Sequence, residues 1–198
     1  MEQIRRLVAG NAYDAVMLRE KDLTEREYRE MAERTTAMCR TFGKPCILHG
    51  FPGVALALGH PFLHLPLSVW EQIEEKERRV LREKTEKIGT SVHSEKQLDL
   101  AVRLGADYVF YGHVFETDCK PGVPPRGLMA LREICLASPV PVFAIGGMRE
   151  DREASALSCG AAGVCYMSAS MKSGNLEMED EYADKNKGFF ACTEDIGE

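Results

Sequence analysis

The chain has 198 residues, 44% of them apolar and 28% charged, which fits one globular domain with a single core. Its formal net charge of −6 excludes a general nucleic-acid binder, which needs a basic face. The charged start MEQIRRLVAG is no signal peptide, and no run reaches the roughly 18 consecutive apolar residues of a membrane helix, so a cytoplasmic protein without membrane contact is expected.

In chain order, EQIRRLVA reads as a helix leading directly into the apolar run DAVML (14–18). Thr24 stands three residues before Glu27 as a capping box, with Leu23 and Tyr28 as its hydrophobic staple. Tyr28, Met31, Ala32, Met38, Cys39 and Phe42 follow mostly at helical spacing, and Gly43 is a natural stop. Two apolar runs come next, CILH (46–49) and FLHL (62–65). Ser68 with Glu71 predicts a second helix start, and KIGTSV (87–92) another apolar run. Ser94 with Gln97 opens a third helix that ends at Gly105. DYVFYG (107–112), PVFAIGG (141–147) and GVCYMS (163–168) complete the series. None of these runs alternates cleanly between apolar and polar. Both faces should therefore be buried, as in parallel strands covered by helices.

Repeated strand–helix units predict the α/β class, and seven strand candidates approach the eight of a (β/α)8 TIM barrel. LGADYVFYG and CGAAGVCYMS support the repeat, each reading as a helix end, Gly-Ala and a strand. The first strand, which should precede the first helix, is missing, and so is a regular last helix. The expected plan is one barrel-type domain over 1–171 and an acidic tail over 172–198. That tail carries eight acids against three bases and reads as a solvated appendage. The gap leaves room for a partner subunit, so a homo-oligomer is one expectation. Seven cysteines without a C-x-x-C pair or metal-ligand spacing read as reduced core thiols, with no metal.

Polar residues gather at the ends of the runs, where barrels place their sites. Arg19 and Lys21, two residues apart, can point to one side as an anion clamp; a solvated strand end is the plainer reading. Gly146 and Gly147 end one strand just before a helix that opens near Glu150, an arrangement that suits a phosphate. Met167 and Ser168 begin MSASM, whose small residues let an anion reach the backbone of the next strand end. His113 follows Gly112 and precedes a twelve-residue loop, ETDCKPGVPPRG. A lid of that length over a titratable group suits proton transfer near neutral pH. The plainer reading is a histidine satisfied by a backbone carbonyl, and His49, His60, His64 and His93 are mostly assigned to it.

IGTSVHS, GADYVFYGHVFETDCKPG, RGL and PVFAIGGM through GVCYMSAS resemble the thiazole tautomerase (TenI) branch of the thiamine phosphate synthase superfamily. The similarity runs from Asp14 to Ser170 and is strongest from Ile88 to Met148. It implies a (β/α)8 barrel, a thiamine-pathway phosphate ester as ligand, and no cofactor. The implied reaction is the aromatisation of a carboxythiazole phosphate by a proton shift. On this resemblance His113 is the acid/base. Phosphate rests on Gly146, Gly147 and Ser168, while Ser91, Thr117, Cys119 and Lys120 line the pocket.

The synthase branch of the superfamily has prolines where this chain has His113 and Glu116, and it differs at three further places. Met17 stands where that branch has Gln, though Arg19 and Lys21 remain. His49 stands where it has Asn, and the metal-binding Asp is missing. HLPLSVW lacks a second acid on the metal side. Magnesium-dependent displacement of diphosphate needs hard oxygen ligands, so the tautomerase, an isomerase, is the expected function. The alternatives are a thiamine phosphate synthase, which condenses a pyrimidine diphosphate with a thiazole phosphate, and a non-catalytic thiamine-phosphate-binding barrel.

Overall fold

A computed structural model describes residues 1–10 and 12–167, together with the backbone of 188–193. Seven strands lie on the seven apolar runs: β1 (Ala15–Leu18), β2 (Cys46–His49), β3 (Phe62–Pro66), β4 (Lys87–Val92), β5 (Tyr108–Gly112), β6 (Val142–Ile145) and β7 (Gly163–Tyr166). Neighbours in sequence are neighbours in the sheet, and every pairing is parallel, as Met17↔Ile47, His49↔His64, Ser91↔Phe110 and Gly112↔Ile145 show. The helices between them are α1 (Glu2–Ala9), α2 (Glu25–Thr41), α3 (Pro52–Leu58), α4 (Leu67–Gln72), α5 (Glu75–Lys84), α6 (Glu95–Arg103), α7 (Gly127–Ala137) and α8 (Glu150–Ser158). The result is a parallel α/β fold of TIM-barrel type.

The two ends of the chain depart from expectation. A further strand, β8 (Gly188–Thr193), pairs in parallel with β7 through Val164↔Phe189 and with β1 through Met17↔Cys192. It lies between β7 and β1. The expected solvated tail is therefore corrected at 188–193, which run as strand backbone. No helix is described between β7 and β8, so the described elements are not a complete (β/α)8 alternation.

Side chains follow the two-residue period of a strand. Ala15, Met17, Ile47, Tyr108, Phe110 and Cys165 form one buried cluster, with Phe62, Phe143 and Ile145 against it. Val16, Leu18, Leu48, Leu63, Leu65, Val109, Val142, Ala144 and Val164 belong to the larger core, which takes in the helices. The first cluster fills the inside of the curled sheet and the second seals its outside. Aromatic rings fill much of the inside: Phe110 meets Phe143 at 5.9 Å and Tyr108 at 5.6 Å between centroids. Gly89 makes room for Tyr108, because a Cβ there would lie 2.1 Å from its ring.

The Thr24–Glu27 capping box forms as predicted, and Ser94 accepts the Gln97 amide at 3.3 Å to start α6. Ser68 caps nothing. Pro66, with φ −54°, enters α4 directly, and that helix stops at Ile73 before α5 begins. Tyr28 of α2 ties two strand ends together: its hydroxyl donates to Leu18 O and accepts from His49 N, both at 2.8 Å.

A polar cluster sits outside β7. Tyr13 and Tyr166 meet edge to face at 5.8 Å. Their hydroxyls and Glu153 Oε1 are buried with no hydrogen-bond partner. Burial, and then the neighbouring Glu150, push the Glu153 carboxyl up to about 7 from 4.5. A raised acid keeps its proton in the folded state longer than in the unfolded chain. The stabilisation is thus full below pH 4.5 and is lost as pH rises through 7. Glu153→Gln is expected to leave stability at pH 4 unchanged and to raise it above pH 7 by about 1–2 kcal/mol, read by urea denaturation.

Candidate active site at the C-terminal strand ends

All seven strands point their C-terminal ends to one side, and most of the predicted polar residues follow from those ends. They divide into two groups. The first is built on the β5–α7 connection. His113 O accepts the Arg126 amide at 2.9 Å and Val114 O the Gly127 amide at 3.0 Å, so the loop is pinned at both ends. Inside it, Thr117 O accepts the Lys120 amide at 3.1 Å, and Lys120 O accepts the Val123 amide at 3.3 Å. These turns hold Thr117 and Lys120 toward a cavity of about 860 Å³, whose other wall is Gly147, Arg149 and Arg152. That volume suits a small-molecule site. Arg152 donates to Gly147 O at 2.5 Å and lies over the Phe115 ring at 4.8 Å, which braces this wall against the loop.

His113 does not face that cavity as a free base. It is 5% exposed, and its Nε2–H donates to Val123 O at 3.1 Å, which makes it an anchor of the loop. Gly146 and Gly147 also have a packing reason to be glycine. A Cβ on Gly146 would lie 2.3 Å from His113 Cβ, and one on Gly147 2.3 Å from Glu116 O. Cys119 is exposed on the loop, and Met167 packs against the inner cluster. Ser168 lies outside the described residues.

The second group surrounds His64, one of the histidines expected to be satisfied within the fold. It is buried inside the sheet, with Nε2 2.9 Å from Ser91 Oγ and Nδ1 3.3 Å from Tyr108 OH. The His49 ring stacks on it at 5.5 Å and 18°. Burial and then the Arg19 and Lys21 charges lower His49 to about 3, so it is neutral at physiological pH. Burial, His49 and Arg19 act in the same direction on His64. Arg19 and Lys21 follow the end of β1 (Ala15–Leu18), and both charges act on His49. The plain carbonyl reading holds for His60, which donates to Cys46 O at 2.7 Å, and for His93, which donates to Gly112 O at 2.5 Å.

Residues 1–170 match the thiamine monophosphate synthase family. The chain belongs to that family. It is 31% identical over 185 residues to the thiamine-phosphate synthase of Syntrophomonas wolfei, covering 90% of this chain and 84% of the relative. It is 33% identical over 171 residues to the probable thiamine biosynthetic bifunctional enzyme of rice chloroplasts, where it covers 85% of itself but only 30% of that protein's length. Among solved structures, the thiamine phosphate pyrophosphorylase of Pyrococcus furiosus superposes with a TM-score of 0.72 at 27% identity, over 87% of this chain and 81% of the other.

These relatives overturn the tautomerase, and with it the isomerase class. The Syntrophomonas wolfei relative and further bacterial relatives carry the name thiamine-phosphate synthase, and the matched family is named for a thiamine monophosphate synthase. Thiamine biosynthesis is retained. Among the described residues, no helix is long and apolar enough to cross a membrane.

Proposed function

We propose that the protein is a thiamine-phosphate synthase, a transferase that joins a pyrimidine methyl diphosphate to a thiazole phosphate. The family match over 1–170 carries this reading. In the reaction the thiazole nitrogen forms a bond to the pyrimidine methylene carbon, the C–O bond to diphosphate breaks, and inorganic diphosphate leaves. No proton needs to move, so the reading does not depend on His113 as a base. Arg19 and Lys21 take the leaving diphosphate as charge partners. The Gly146–Gly147 turn, Thr117 and Lys120 take the second phosphate, and Ser91 orients the pyrimidine from inside the sheet. On the same reading β8 is the eighth strand of a (β/α)8 barrel, set between β7 and β1.

The test is to incubate the protein with both substrates and follow products by mass spectrometry. Thiamine phosphate and diphosphate are expected to form one for one. Absence of thiamine phosphate from intact, folded protein would sink the proposal.

A further inference from the structure

The cavity at the strand ends lies between two separate lengths of chain, the β5–α7 loop and the turn that opens α8. At their root the two meet through backbone. Val114 N donates to Ile145 O at 2.9 Å, and Phe115 N donates to Gly146 O at 3.1 Å. A Cβ on Gly147 would lie 2.8 Å from Phe115 O, so glycine is what lets the loop come this close. Beyond Phe115 the loop runs through mostly exposed residues before α7 begins at Gly127. Arg152, in the first turn of α8, reaches across to its start. The Nη1 of Arg152 donates to Gly147 O at 2.5 Å, and the guanidinium carbon lies 4.8 Å from the centre of the Phe115 ring. One planar group thus serves both walls, its edge carrying a hydrogen bond and its face covering an aromatic ring. An ammonium, a point charge on a flexible stem, does not present an edge and a face together.

We propose that Arg152 is a positioning residue that latches the β5–α7 loop to the α8 turn, and that this latch sets how tightly the cavity takes a phosphate ester. The latch rests on the contacts above, and its ligand rests on the synthase reading. Arg152 already meets two groups of the protein, so it acts through them rather than on the ligand. Thr117 and Lys120 stand on the loop and Gly147 on the turn, so an anion held between them needs both walls in register. If the loop keeps that register for only a fraction of the time, affinity falls by the same fraction.

The first measurement is amide hydrogen exchange on the full chain without ligand, in wild type, Arg152→Met, Arg152→Lys and Phe115→Leu. In Arg152→Met the segment 116–125 is expected to exchange about tenfold faster, since a charge-assisted hydrogen bond and a cation–π contact are both lost. Phe115→Leu, which keeps the Gly147 contact, should give about two- to fivefold, and Arg152→Lys should fall between wild type and Arg152→Met. Unchanged exchange of 116–125 in Arg152→Met overturns the latch. If that variant does not fold, unchanged exchange in Phe115→Leu does so. In synthase turnover, Arg152→Met is expected to raise KM for the thiazole phosphate with kcat kept. A fall in kcat at unchanged KM overturns the positioning role, because it would place Arg152 at the reacting atoms. Absence of thiamine phosphate from the wild type strikes the synthase reading instead, and leaves the latch to be decided by exchange.

Discussion

Gly112→Ala is expected to destabilise the fold by about 3 kcal/mol or more, a fall in melting temperature of roughly 6–12 °C for a chain of this size. The added Cβ would lie 2.1 Å from Ile145 O and 2.8 Å from Ile145 Cγ2. The first of these is a backbone atom of the paired strand, so it cannot swing aside as a side chain can. Ile145 O also accepts the Val114 amide at 2.9 Å, and Gly112 O accepts from His93. Separating β5 from β6 would therefore loosen His113, the loop it anchors, and the Gly146–Gly147 turn together. Thermal and urea unfolding measure the effect. A loss below about 1 kcal/mol would mean that the two strands are not so closely apposed.

The same crowding explains what was legible in the sequence and what was not. Six of the seven predicted runs contain their strands and β3 passes its run by one residue, to Pro66, because a strand buried on both faces favours apolar residues whatever its neighbours are. The start of α2 was legible because Thr24 and Glu27 act within four residues of each other. Ser68 misled because the local pattern is the same whether or not the hydroxyl is used, and Pro66 had already set the helix entry. GFFACT was hidden in the acidic segment: six residues cannot declare a partner strand more than a hundred residues away.

At the site, the β5–α7 loop was legible by its length, and it borders the cavity. Gly146 and Gly147 were noticed for a chemical reason, and the structure adds a steric one, while His113 is tied to Val123 O by a hydrogen bond. His64 was missed because nothing beside it in sequence marks it. Its partners, Ser91 and Tyr108, come from the next two strands.

The loop cation gives the largest expected effect on activity. Lys120→Ala is expected to lower kcat/KM for synthase turnover by about 10- to 150-fold, the loss of one charge-assisted phosphate contact worth about 1.5–3 kcal/mol. Lys120 lines the cavity with Thr117, Gly147, Arg149 and Arg152, and it is held there by the paired turns that begin at Thr117. The neighbouring cations are partly engaged already, since Arg149 pairs with Asp151 at 3.1 Å and Arg152 is spent on Gly147 O and the Phe115 ring. Lys120 is thus the cation on this wall best placed to meet an incoming anion. How the loss divides identifies the group it serves. If Lys120 holds the standing thiazole phosphate, KM rises and kcat is kept. If it meets the charge that grows on the departing diphosphate, kcat falls with little change in KM. Lys120→Arg, which keeps the charge but changes its shape, should recover part of either loss. Activity of Lys120→Ala within about twofold of wild type is what a merely solvated surface lysine would give, and it would remove this residue from the site.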